Sequence, residues 1–104
     1  MSTVKSLTAT GVATGKYATL FGITASTEIP APAPTGNLIV EVRDSSVADG
    51  SGDLIARVII TLGTPEASGM ETLTFGDWVR CANGIAVNLT LNGHDDVVVS
   101  IDYS

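Results

Sequence analysis

Apolar and polar residues alternate with a period of two along most of this chain. Ile85, Val87, Leu89 and Leu91 are apolar, with Ala86, Asn88 and Thr90 between them. That predicts a strand over Ile85–Leu91 with one buried and one wet face. Asn92-Gly93-His94-Asp95 follows and reads as a hairpin loop. The next strand spans Val97–Tyr103, with Val97, Val99, Ile101 and Tyr103 facing inward. In the middle of the chain, Leu38, Val40 and Val42 alternate with Glu41 and Arg43. After a loop over Asp44–Asp53, a partner strand places Leu54, Ala56, Val58, Ile60 and Leu62 on one apolar face. Ile55 and Ile59 flank Arg57 on the other face, which is more apolar than a solvated face should be.

The remaining segments are shorter or less regular. Val4–Thr10 and Lys16–Thr24 read as strands, and Gly22 inside the second predicts a bulge or a close backbone approach. Glu28–Gly36 carries Pro30, Pro32 and Pro34 alternating with Ala31 and Ala33. This run is expected to be extended, without ladder hydrogen bonds from its prolines, and to cross between two sheets. Thr64–Gly69 reads as a loop and Glu71–Phe75 as a strand with Leu73 and Phe75 inward. Gly76-Asp77 reads as a turn, Trp78–Cys81 as a strand and Asn83-Gly84 as another turn. Seven or eight short strands with turn signals roughly every 8–12 residues predict an all-β fold, an antiparallel β-sandwich or small barrel. The long Pro-rich connection favours a Greek-key or jelly-roll-like sandwich. The whole chain, 1–104, is expected to be one domain with an extended N-terminal segment over about residues 1–10.

Composition agrees with strands. Only 15% of residues are charged and 5% aromatic, there are 11 glycines, and Val, Ile and Thr are prominent. β-Branched residues fit a pleated surface better than a helix, and no long window keeps helical spacing. The net charge of −6 argues against nucleic acid and anionic membrane, which need clustered positive charge. No stretch approaches the roughly 20 apolar residues of a membrane helix, and the start, MSTVKSLTATGVATG, lacks the apolar run of a secretory leader. The single cysteine, Cys81, excludes an internal disulfide framework.

Candidate chemistry is sparse. His94 stands beside Asp95 and Asp96, a pair type suited to general-base or metal work, but the expected hairpin tip makes it a solvent-exposed turn residue. Cys81 is expected to be a small buried core residue. Asp49, Ser51 and Asp53 have the i, i+2, i+4 spacing of oxygen ligands, and Asp49 and Asp53 are the metal candidates. The EF-hand pattern fails, because its glycine position holds Leu54 and its bidentate glutamate position holds Ile60. Asp, Ser and Gly are also ordinary loop formers. Thr14-Gly15-Lys16 lacks the spacing of a phosphate loop, and the sequon at Asn88-Leu89-Thr90 is read as chance. Tyr17, Phe21, Phe75, Trp78 and Tyr103 could form a sugar-stacking row; most fall on expected inward faces, so core filling is the expectation, with Trp78 the one nearest to half exposed. No catalytic constellation and no cofactor are expected.

The layout resembles a group of small all-β structural proteins of tailed bacteriophages. The resemblance rests on the strand Gly15-Lys16-Tyr17-Ala18-Thr19-Leu20-Phe21-Gly22-Ile23 and the strand end Val42-Arg43-Asp44-Ser45-Ser46. It continues through the late Phe75-Gly76-Asp77 turn before Asn83-Gly84-Ile85-Ala86-Val87, and the closing segment from Asp95-Asp96-Val97 to Tyr103. It covers most of the chain; the Ala/Pro run at Ile29–Pro34 departs from it. It implies a virion component assembled in the host cytoplasm, most plausibly a capsid decoration (cement) protein bound to the major capsid protein or other virion proteins. A homo-oligomer, a trimer in the first instance, is expected. Contact residues are expected on the N-terminal segment at Val4 and Leu7, on the Ala/Pro run at Ile29, Pro30, Pro32 and Pro34, and at Ile55 and Ile59. A tail, neck or fibre component is the alternative within the virion. A carbohydrate-binding or adhesion module is the alternative of another class, and it requires Trp78 and a tyrosine to be exposed.

Overall fold

A computed structural model describes residues 3–28, 36–60 and 69–104. The described residues form β1 (Thr3–Leu7), β2 (Gly11–Thr14), β3 (Ala18–Glu28), β4 (Leu38–Asp44), β5 (Asp53–Ile60), β6 (Gly69–Cys81), β7 (Ile85–Thr90) and β8 (Asp95–Tyr103), with no helix among them. Two antiparallel four-stranded sheets, ordered β1-β8-β3-β6 and β2-β7-β4-β5, pack face to face. The pairs β1–β8, β2–β7, β3–β6 and β4–β5 are nested, so the chain runs as one long hairpin with its tip between β4 and β5. Cross-pairing of β3 with β8 and of β4 with β7 rolls that ribbon into two layers. This is the jelly-roll form of the β-sandwich.

The inner faces supply the core. Ala18, Leu20, Ile23, Ala25, Val97, Val99 and Ile101 line one sheet; Leu38, Val40, Val42, Val58, Ile60, Ile85 and Val87 line the other. All are buried, and each large aliphatic side chain contributes about 1.5–3 kcal/mol by leaving water.

Several expectations need correction. β7 and β8 do not form a hairpin, because they lie in opposite sheets. The local turn is the one expected: Asn92 and Gly93 both have positive φ, 48° and 86°, and His94 N–H donates to Leu91 O at 2.9 Å. Two strands with inward-facing odd positions satisfy one core equally well side by side or across it, so local pattern does not separate the two. The strand expected over Val4–Thr10 is β1 and ends at Leu7, and the segment expected as a turn region after it holds a further strand, β2. Glu71–Cys81 is not two strands around a Gly76-Asp77 turn but part of the single strand β6. The expected bulge at Gly22 is present, since the ladders of β3 to β6 and β8 both shift between Leu20 and Gly22. On β5, Val42 pairs with Ala56 but Arg43 pairs with Leu54, so Ile55 is the extra residue of a bulge. A one-residue shift reverses facing: Ile55 packs against the core and Leu54 turns to solvent. Ile29, Pro30, Pro32, Pro34 and Leu62, and the loop before Gly69, lie outside the described residues, as do the side chains of Leu73 and Phe75.

Candidate functional site

Bulges decide which aromatic side chains reach the surface. On β3, Ala18 and Leu20 face inward, and beyond the bulge so do Ile23 and Ala25. Over the same step the pairing on β6 passes from Val79 to Thr74, leaving Phe75–Trp78 without cross-strand partners. Trp78 stands on the outer face and is 70% exposed. Its ring meets Phe21 edge-on, with centroids 5.0 Å apart and planes at 76°. Arg80 pairs across from Thr19 and is exposed on the same outer face. Tyr17 continues the outward series one step before β3 and is 60% exposed. Core filling is therefore overturned for Tyr17 and Trp78. It holds for Tyr103, which packs against the core while its hydroxyl donates to Ala13 O at 3.3 Å.

His94 is not an open turn residue. It is 6% exposed, and Nε2 lies 2.8 Å from Gly36 O. A carbonyl can only accept, so that nitrogen carries the proton, and Nδ1 is buried without a partner. Asn92 Nδ2 donates to Asn37 O at 2.7 Å beside it. The turn is thus fastened onto the chain leading into β4, which buries the imidazole. The sequence signal for this was weak, since an Asn-Gly-His tip looks the same whether or not another strand lies against it.

Cys81 is buried, as expected. Burial, and secondarily the Asp44 carboxylate, push its thiol from 9.0 to about 11, so it is no nucleophile at neutral pH. Asp44 has a structural role that pattern reading missed. Its carboxylate accepts from Ala82 N–H at 3.1 Å and Asn83 N–H at 2.8 Å, fastening the β6–β7 turn to the end of β4. Asp49 is engaged within its own loop by the backbone and hydroxyl of Ser51, and these bonds hold its carboxyl below the usual range. Asp53 pairs with Asp44 across the β4–β5 ladder. Among the described residues, no three His, Cys, Asp or Glu side chains are grouped to share a metal. Glu41 accepts from Arg57 at 2.9 Å and from Arg43 at 3.4 Å on the outer face of the second sheet, and the Arg57 hydrogen bond chiefly lowers its pKa.

The expected contact residues divide. Val4 on β1 and Ile59 on β5 are exposed, whereas Leu7 and Ile55 pack against the core. The N-terminal segment is a paired strand of the first sheet rather than a free arm, with Thr3 to Leu7 in register against Tyr103 to Val99. Set against known proteins, the chain matches no family model, no curated protein and no solved structure.

Proposed function

We propose that this chain is a virion structural protein of a tailed bacteriophage, a capsid decoration protein that coats the shell and ties its subunits together. The reading rests on the strand-and-turn resemblance above and on a jelly-roll frame, an architecture used by capsid domains and also by lectins. The observation that carries it is apolar exposure on the terminal strands of the two sheets. Val4 is 64% exposed on β1, and Leu54 and Ile59 are 44% and 43% exposed on β5. These strands belong to opposite edges of the sandwich, so the two patches are different surfaces of one molecule. Contacts between unlike patches are head-to-tail, and they form a ring such as a trimer where the rotation between neighbours closes. Bound across subunit seams, such a ring would add buried area to the shell without chemistry.

The test is copy number on purified particles together with the solution mass of the isolated protein. Copies on the order of hundreds place the protein on the shell; about six or twelve would place it in a portal or tail ring instead. Val4→Glu and Ile59→Glu should each yield monomers that keep native circular dichroism, with the assembly's contribution to the melting temperature lost. A wild-type monomer at about 100 μM that is absent from particles overturns the proposal. Deleting residues 2–10 is the poorer test, since it removes β1 and the core contact of Leu7.

A further inference from the structure

The outer face of the first sheet carries a feature that the assembly role leaves unused. Outward from the residue before β3 and along the strand run Tyr17, Thr19 and Phe21, and beside them on β6 stand Arg80 and Trp78. Alternate residues of a strand are about 7 Å apart. The row from Tyr17 to the Phe21–Trp78 pair therefore spans about 14 Å, the reach of a short oligosaccharide rather than one sugar. Toward β8 and β1 the same outer face carries Thr24, Ser26 and Ser100 together with Val98, Asp102 and Val4, and Ser6 Oγ and Ser100 Oγ are 3.4 Å apart.

We propose that the Tyr17–Phe21–Trp78–Arg80 face is a binding site for an acidic oligosaccharide, with the rings stacking on sugar faces and Arg80 pairing with a uronate carboxylate. Two observations select this ligand. Hydroxyl side chains flank the rings along β3 and β8, as suits a polyhydroxylated ligand, whereas a protein hot spot is ringed to exclude water around a desolvated apolar centre. Arg80 supplies the charge complement. Arg43 and Arg57 are both committed to Glu41, while Arg80 makes no ion pair among the described residues. A planar guanidinium matches a carboxylate in two-point geometry. The net charge of −6 opposes an acidic glycan, and Asp102 stands on this outer face in register with Gly22; Arg80 lies on the other side of β3, on β6. The edge contact with Phe21 holds the Trp78 ring, so little side-chain freedom is lost on stacking.

Trp78 is the single tryptophan, so its fluorescence reports the site directly. An oligogalacturonate titrated into the intact protein should shift and saturate that emission with a Kd of about 1 mM or tighter. A maltooligosaccharide of equal length should bind more weakly. Arg80→Gln should reduce the preference for the acidic sugar by about three- to fivefold, the size of an exposed ion pair. Trp78→Ala, followed by calorimetry, should abolish binding of both while its circular dichroism stays native. No fluorescence response to either sugar overturns the proposal. Equal affinity for the two sugars, or an Arg80→Gln variant that discriminates as before, overturns the acidic assignment. Loss of Trp78→Ala from purified particles with no sugar response would make the face a protein contact instead. The particle and mass measurements above do not depend on any of these results.

Discussion

Like Gly52, Gly84 is a position where a single methyl group should do severe damage. It joins β6 to β7 with φ of 138°, a conformation that L side chains rarely adopt. A Cβ built there would stand 2.5 Å from Thr14 O and 2.8 Å from Ser45 O. Both neighbours are backbone, so neither can rotate away. The conformational cost is about 1–3 kcal/mol, and relief of the contacts must move the ends of β2 and β4. The sum, about 3–5 kcal/mol, falls in the severe tail for point changes. In a domain near 100 residues that is a fall in Tm of about 12–40 °C, at some 4–8 °C per kcal/mol. Gly84→Ala should show this drop by circular dichroism, with a matching loss of urea midpoint at unchanged m-value. Two controls separate the causes. Gly50 has φ of 85° but open space around its Cβ position, so Gly50→Ala should cost only about 1 kcal/mol. Gly15 has neither constraint, and Gly15→Ala should be close to neutral. A Gly84→Ala protein that melts within about 5 °C of wild type, or no lower than Gly50→Ala, would refute the packing of this turn.

Other outcomes follow from the buried polar groups. Asp44→Ala removes the acceptor of two backbone N–H groups, and a loss of about 2–3 kcal/mol is expected in urea unfolding; an unchanged midpoint would mean that the β6–β7 turn holds without it. Cys81 should resist thiol reagents until the protein unfolds. Its folded pKa of about 11 lies above 9.0, so between those values the native state binds more protons than the unfolded one. Stability from this group is complete below about pH 9 and falls as pH rises toward 11; the decline should be smaller in Cys81→Ala, and an identical alkaline profile in the two proteins would count against the burial argument.

The extent to which the fold was legible follows from what period-two alternation encodes. Leu38, Val40 and Val42 announce an inward face, and they are buried. The pairing of β4 with β5 was readable because a short loop joins strands of complementary facing. Choosing partners across sheets was not readable. Val97–Tyr103 presents the same inward face whether it lies beside β7 or opposite it, and only distant pairing with β1 and β3 decides. Bulges were the second blind point. Gly22 marked one, because glycine tolerates the distortion, but Ile55 carries no such mark, and its shift exchanged the roles of Leu54 and Ile55. Trp78 was the aromatic expected nearest to half exposed, and it is 70% exposed; the expected turn before it is instead a stretch of β6 that leaves the ladder, which glycine and aspartate at 76 and 77 do not distinguish from a turn. His94 became a buried group only through Gly36, far away in sequence.

The nesting of strands also governs how the molecule bears load. Thr3 and Tyr103 are opposite each other at one corner, with β1 paired in its sheet to β8 alone and packed on the core through Leu7. Tension applied between those two residues acts along the hydrogen bonds and opens them in succession, as in a zipper. The carboxyl end is anchored on its other side, where Thr19 and Ser104 exchange backbone bonds of 2.8 and 2.9 Å. The short first strand would therefore peel away before the remaining layers yield. A sandwich of this nesting resists strain best when force crosses its flanks, and poorly when it is tugged at Thr3 and Tyr103.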